Sequence, residues 1–208
     1  MSQKILFMGD VADSTAIDAP AYSSAFQALE RAITSINRSV KADLPLSLQY
    51  GDEVSGLYET PGDAWQIATQ LRDALHPTTA LRFVVVRGKV GRLDSDIRKV
   101  GGQIFKVANT LMTRAKHENR FGLWRLNDEE DKILDALTAA ASHLWREMSS
   151  YQENIYRLRR QGRNYKDIQA ELDKHQQSVS KAAQRGGIEI VIEAEQAIEQ
   201  VLKKIAEN

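Results

Sequence analysis

The sequence predicts an α+β protein built in two parts, and three observations carry that prediction. Short apolar runs bounded by turn residues recur between Lys4 and Leu126 and stop there. Amphipathic helical spacings separate those runs in front and fill everything behind them. Turn-forming Gly, Pro and Asp punctuate the front part densely, whereas Gly162 and Gly186-Gly187 are the main breaks in the rear part. We place a sheet domain at residues 1–126, a connecting helix at 127–148 and an all-α domain at 149–208.

Each front element has a local reason. Lys4–Val11 is a compact apolar run closing on Gly-Asp-Val, which reads as a buried strand ending at a turn. Tyr22, Phe26, Leu29, Ile33, Ile36 and Val40 then recur at spacings of four and three, one face of a helix. Pro45 breaks the chain, and Leu46–Tyr50 alternates as a half-buried strand does. Gly51-Asp52 makes a tight turn into a second short strand, Glu53–Tyr58, so the pair reads as a hairpin. Pro61-Gly62-Asp63 opens a helix with Ile67, Leu71 and Leu75 on its buried side. Leu81–Val90 is rich in β-branched residues and reads as a central strand. Gly101-Gly102 precedes a helix with Ile104, Val107, Ala108 and Leu111 on one face, and Arg120–Leu126 closes as a strand. The order is β-α-β-β-α-β-α-β, whose first six elements match the ferredoxin-like split βαβ, an antiparallel sheet with helices on one face.

Behind Asn127, residues Ile133, Leu134, Leu137, Ala141, Leu144, Trp145 and Met148 form an amphipathic joining helix. A helix-turn-helix pattern follows from Gly162 to Lys181. Two short helices joined by a tight turn need apolar contacts at fixed places, and Ile168, Leu172, Val179 and Ala182 or Ala183 occupy them. The second helix then shows Gln176, Gln177, Ser178, Ser180 and Lys181 outward, side chains that can reach base edges or phosphates in a major groove. Arg163, Tyr165 and Lys166, with Arg159 and Arg160, lie just upstream, where backbone phosphates would be met. Gln169 stands where such units usually carry Ala, and Asp173 where a turn Gly is common; both fit the alternative of a solvated three-helix bundle that docks a protein. Val191, Ala194, Ile198, Val201 and Ile205 form a heptad-like seam, for a twin chain or for the joining helix. A homodimer suits paired half-sites on double-stranded DNA.

Composition narrows the function classes. The 208-residue chain is 42% apolar and 27% charged, ordinary for a globular protein. It has no cysteine, which excludes disulfides and thiolate metal sites and suits a reducing cytoplasm. No apolar run is long enough for a membrane span, so no membrane partner is expected. The formal net charge is zero. Between Tyr151 and Arg185, however, eight cations (Arg157, Arg159, Arg160, Arg163, Lys166, Lys174, Lys181, Arg185) outnumber four carboxylates (Glu153, Asp167, Glu171, Asp173). Local excess matters more than the sum, because screening limits a field to about 8–10 Å. His76, His117, His143 and His175 show no paired ligand spacing, and Trp65, Trp124 and Trp145 read as core residues.

Two carboxylates stand out in front. Asp10 ends the first strand and Asp52 sits in the hairpin turn. In a split βαβ those places are neighbours, so two hard oxygen donors there suit Mg²⁺ or Mn²⁺ carrying a phosphorylated ligand. Taken singly, Asp10 also reads as a turn cap and Asp52 as a plain hairpin residue.

Gly9-Asp10-Val11, Gly51-Asp52-Glu53, Arg82–Gly88 and Gly102–Ala108 together resemble, in order, the class III nucleotide cyclase fold. With the helix-turn-helix behind, the chain resembles the SatD family of bacterial proteins. That resemblance implies a cyclase-like domain with Asp10 and Asp52 at metal-binding positions, and a candidate metal or nucleotide set of Asp10, Val11, Asp52 and Lys106. It also implies where catalysis is compromised. The helical Asn that orients the ribose and the Arg that stabilises the transition state fall on Lys106 and Thr110. The strand expected to carry a purine-selecting Lys offers Ser47, Leu48 and Gln49. Losing a cation that stabilises developing charge costs about 10³-fold or more in rate. The sequence therefore points to a transcriptional regulator with a non-catalytic, nucleotide-sensing front domain. A metal-dependent cyclase and a ligand-free dimerisation scaffold are the alternatives.

Overall fold

A computed structural model describes residues 3–14, 17–49, 51–91 and 94–207, and of Gln176 the backbone only. Tyr50, expected in the hairpin, and the Gln176 side chain, expected on the outward face, lie outside the described residues. The chain divides into two compact units, residues 1–135 with 199–208, and residues 136–198.

The first unit is built on β1 (Gln3–Val11), α1 (Ala19–Ser39), β2 (Leu44–Gln49), β3 (Glu53–Tyr58), α2 (Pro61–Leu75), β4 (Leu81–Lys89), α3 (Gln103–His117) and β5 (Gly122–Arg125). This is the expected α+β order. The sheet runs β2-β3-β1-β4-β5. Its first four strands are antiparallel to their neighbours, the ferredoxin-like arrangement, and β5 joins β4 in parallel. The parallel pairing follows from the connection: a helical crossover returns the chain to the end where β4 began, which a hairpin cannot do.

Helix starts obey local chemistry. Asp18 accepts from the Ala21 amide at 2.8 Å, and Thr60 with Asp63 closes the start of α2 behind Pro61. Gly102, at φ 140°, leads into α3, and a Cβ added there would lie 3.2 Å from the Gly91 backbone nitrogen.

Both faces of the sheet are covered, one more than the split βαβ alone predicts. Side chains alternate along β1. Leu6 and Met8 join Val84, Val86, Ile104, Ala108 and Leu111 in a core beneath α3. Ile5, Phe7 and Val11 point the other way, toward α1 and α2, where Phe83 stacks on Phe7 and meets Trp65 and Trp124. Register carries the alternation across: Asp10 lies opposite Glu53 on β3 and Arg82 on β4, so these three share the α3 face.

The second unit holds the rear part of α4 (Asp128–Arg146), α5 (Ser150–Arg160), α6 (Tyr165–Leu172), α7 (Gln176–Arg185) and the front of α8 (Ile188–Glu207). Its core joins Trp145, Ile155, Tyr156, Ile168, Val179 and Val191. Along α8 the seam residues Val191, Ala194, Ile198 and Ile205 are buried within the chain. Ile133, expected on the buried stripe of α4, is 51% exposed. The stripe instead runs through Leu134, Thr138, Ala141 and Trp145, and Ile133 is turned about 100° from Leu134. No described helix is long and apolar enough to cross a membrane.

Phe83→Ala removes the ring shared by Phe7, Trp65 and Trp124, and should cost about 3–5 kcal/mol of unfolding free energy, read as a lower urea midpoint.

Candidate functional site

The sheet unit gathers charge at the end of β1. Asp10 is 7% exposed, because β1 is central and α3 lies over its face. An isolated carboxylate there would cost several kcal/mol, so cations must accompany it. Two do. Lys116, in the last turn of α3, donates from Nζ to Asp10 Oδ1 at 2.8 Å, and Arg82 Nη1 lies 3.6 Å from Oδ2. Arg82 is itself buried, donates from Nε to the Arg120 carbonyl at 3.2 Å, and lies over the Phe121 ring at 5.2 Å. Both cations escaped the sequence reading. Arg82 leads the apolar run 83–86 of the central strand, and nothing in the chain around Lys116 sets it apart from an ordinary helix-terminal cation.

Val11 is buried and donates its amide to the Asp52 carbonyl at 3.3 Å, which ties the end of β1 to the hairpin turn. The Asp52 side chain is half-buried and accepts from the Ser14 hydroxyl. Glu53, beside Asp10 on the same face, has its carboxyl held above the ordinary carboxylate range. Burial is the main cause; Asp10 and Asp52 add to it and the Lys116 ammonium opposes it. Lys106 is exposed and stands ten residues before Lys116 on α3, about 15 Å along the helix axis. The structure therefore joins Asp10, Val11 and Asp52 at one end of the sheet and leaves Lys106 well away from the Lys116–Asp10 contact. Thr110 donates its hydroxyl to the Lys106 carbonyl.

Those contacts decide how well the site suits a resident Mg²⁺ or Mn²⁺. Asp10 has one oxygen on an ammonium and the other facing a guanidinium, while Asp52 is bound by Ser14. Among the described residues no three His, Asp or Glu side chains converge on a point. A divalent ion would have to displace Lys116 from Oδ1 and lie against the buried Arg82 guanidinium. This arrangement does not fit one.

The helical unit builds its outward face by burying the opposite one. Ile168, Val179 and Ala183 are buried, and Leu172 and Ala182 pack half-buried against the same core. Asp173 closes α6 in the left-handed region, φ 49° and ψ 52°, a conformation acidic and amide residues tolerate. Gln177, Ser178, Ser180 and Lys181 are exposed as a consequence.

Upstream, charge is sorted. Arg159 grips Glu189 with two donors, Nε to Oε1 at 2.8 Å and Nη2 to Oε2 at 3.0 Å, and lies over the Tyr165 ring. Tyr165 donates its hydroxyl to Glu189 at 2.6 Å, and its pKa is pushed up to about 12, by burial first and then by that bond. Arg157 pairs with Glu153 and Arg160 lies 3.5 Å from Glu195. Arg159 thus holds α5, and Tyr165 holds α6, against the start of α8. Arg163, Lys166, Lys174, Lys181 and Arg185 are exposed, and among the described residues no carboxylate pairs with them.

No family model matches the chain, and no curated relative matches it. Solved structures do. Its structural neighbours include nucleotide cyclases. A bacterial light-regulated adenylyl cyclase aligns at 15% identity over 59% of this chain and 74% of that one, with a TM-score of 0.46. A diguanylate cyclase from Pseudomonas aeruginosa, in complex with its activator, aligns at 16% over 59% of this chain and 50% of that one, with a TM-score of 0.45. A regulator of polyketide synthase expression from Bifidobacterium adolescentis spans 100% of this chain and 82% of its own at 12% identity and a TM-score of 0.30. Strand order and register, rather than these distant likenesses, define the fold.

The Arg159 grip lowers the Glu189 carboxyl below its ordinary 4.5, with Tyr165 adding to the effect. A depressed carboxylate stabilises the fold above its unfolded pKa, and that stability is lost as pH falls through the folded value. Glu189→Gln should therefore lower the unfolding free energy at pH 7 by no more than about 1 kcal/mol for a partly exposed pair, read as a lower melting temperature, with the difference fading below pH ~4.5.

Proposed function

We propose that the chain is a DNA-binding transcriptional regulator whose front unit is a non-catalytic, cyclase-like domain taking a nucleotide-type ligand. One observation carries the reading most of the way. The face of α7 presents an amide, two hydroxyls and an ammonium (Gln177, Ser178, Ser180, Lys181), while the uncommitted cations Arg163, Lys166, Lys174 and Arg185 lie on or beside the same two helices. Gln offers a bidentate pair to adenine, and unpaired Lys and Arg exchange counterions with phosphates. The resemblance to the SatD family supports the same assignment. Two copies of the chain on paired half-sites belong to this reading.

A metal-dependent nucleotide cyclase is the second reading. The Val11–Asp52 link favours it, since it brings Asp10 and Asp52 to one end of the sheet, where Mg²⁺ or Mn²⁺ would be sought. Against it stand Lys106 and Thr110 in place of the catalytic Asn and Arg, and the cations already seated on Asp10.

Mobility shifts with genomic fragments across a salt series test the first reading. Binding should weaken steeply with salt, and Lys166→Ala and Lys181→Ala should each reduce the log–log slope by about 0.9. Gln177→Ala should cost about 1–3 kcal/mol on a specific site and little on random DNA. No binding at low salt would overturn the reading. Turnover of ATP or GTP with Mn²⁺ that disappears in Asp52→Ala would favour the cyclase instead.

A further inference from the structure

We propose that Lys116 is a built-in replacement for a divalent cation at Asp10, so that the carboxylate end of the sheet works without metal and becomes a divalent-cation site when the charge at position 116 is removed.

Three features of the site lead there. First, the carboxylates are brought to one end of the sheet by construction. Asp10 and Glu53 are directly opposed on antiparallel strands with side chains on one face, and the hairpin that carries Asp52 is tied to β1 through the Val11 amide. Three acidic residues at one strand end repel one another, and such a set is held only by a compensating charge. Second, that charge comes from an element that has no need to supply it. Lys116 lies in the last turn of α3, where a cation is already favoured by the helix dipole and solvent. Its side chain is 51% exposed, yet its Nζ lies 2.8 Å from a carboxylate that is 10% exposed. An ammonium is a compact, strongly hydrated point charge, the side-chain group closest in character to a small hard cation. Third, Arg82 cannot play the same part. Its guanidinium is buried, 3.6 Å from Oδ2, and is held by the Arg120 carbonyl, so it neutralises Asp10 from beneath while Lys116 closes the solvent side.

The consequence is a definite exchange. Lys116 and a divalent ion compete for Asp10 Oδ1, and the tethered ammonium wins because its local concentration exceeds that of any free ion. Mg²⁺ and Mn²⁺ need only one or two carboxylates when water fills the other positions. Removing the ammonium frees Asp10 Oδ1 at the sheet end to which the Val11–Asp52 link also brings the hairpin turn, which meets that need. The inference stands on the front unit alone and does not depend on DNA binding.

The experiment is Mn²⁺ binding to the full chain, followed by electron paramagnetic resonance of the free ion, with circular dichroism confirming that each variant is folded. Wild type should bind no Mn²⁺ at millimolar concentration. Lys116→Met keeps the aliphatic stem and should bind Mn²⁺ at least about tenfold more tightly than wild type, the effect of deleting one like charge at contact distance. Lys116→Arg keeps the charge and should behave as wild type. Asp52→Asn in the Lys116→Met background should abolish the gain. Mn²⁺ binding by wild type that is unchanged in Lys116→Met would overturn the proposal, as would a folded Lys116→Met that binds no Mn²⁺. Should Lys116→Met fail to fold, the wild-type titration still decides: tight Mn²⁺ binding overturns the proposal and its absence, with the same absence in Lys116→Arg, supports it.

Discussion

A carboxylate on the covered face of a central strand has to be neutralised where it stands, and Asp10 is in that position. Strand β1 is flanked by β3 and β4, and α3 lies over the face to which Asp10 points. Burial without partners would cost several kcal/mol. The cations that meet this need determine what the surrounding site can do. Arg82 arrives through strand register and Lys116 through the docking of α3, so the same contacts that complete the sheet's second face also occupy the carboxylate. A site whose charge is already balanced from within is poorly disposed to hold a metal. In this way the chemistry of the front unit follows from its packing.

The helical unit applies the same rule with the opposite result. Its carboxylates Glu153, Glu189 and Glu195 take up Arg157, Arg159 and Arg160, each pair bracing one helix or joining two. What remains along and beside α6 and α7 is five exposed cations, Arg163, Lys166, Lys174, Lys181 and Arg185, against the three exposed carboxylates Asp167, Glu171 and Asp173. A chain with zero net charge thereby keeps a local excess of cations here, reduced but not removed by the pairs that Arg157, Arg159 and Arg160 make. Surface cations left unpaired cost little in water, and they are the groups that exchange counterions with a polyanion.

Features that depend on near neighbours were legible in the sequence. The order of strands and helices, the hairpin around Gly51, and the spacing from Ile168 to Val179 all express periodicity or turn chemistry over a few residues. The left-handed turn at Asp173 was legible for the same reason. Contacts across long separations were not. Lys116 and Asp10 lie 106 positions apart, and nothing in either segment names the other. The parallel pairing of β5 and the second covered face depend on where α3 docks, which its amphipathic pattern leaves open. Tyr165 shows the same limit: its place beside basic residues suggested an outward role, and Glu189, 24 positions away, draws its hydroxyl inward. Ile133 missed its stripe because adjacent residues on a helix differ by a large rotation, so one apolar residue too many cannot be assigned by type alone.

The claim on which the whole reading turns is that the outward face of α7 is the surface that meets DNA. Amide hydrogen exchange measured with and without duplex DNA at low ionic strength addresses it directly, since exchange reports local protection segment by segment. The account predicts slowed exchange in residues 163–185, strongest in α7, together with little change along α1 and β2. Protection confined to the sheet unit, or none in α7 while DNA is bound, would contradict it.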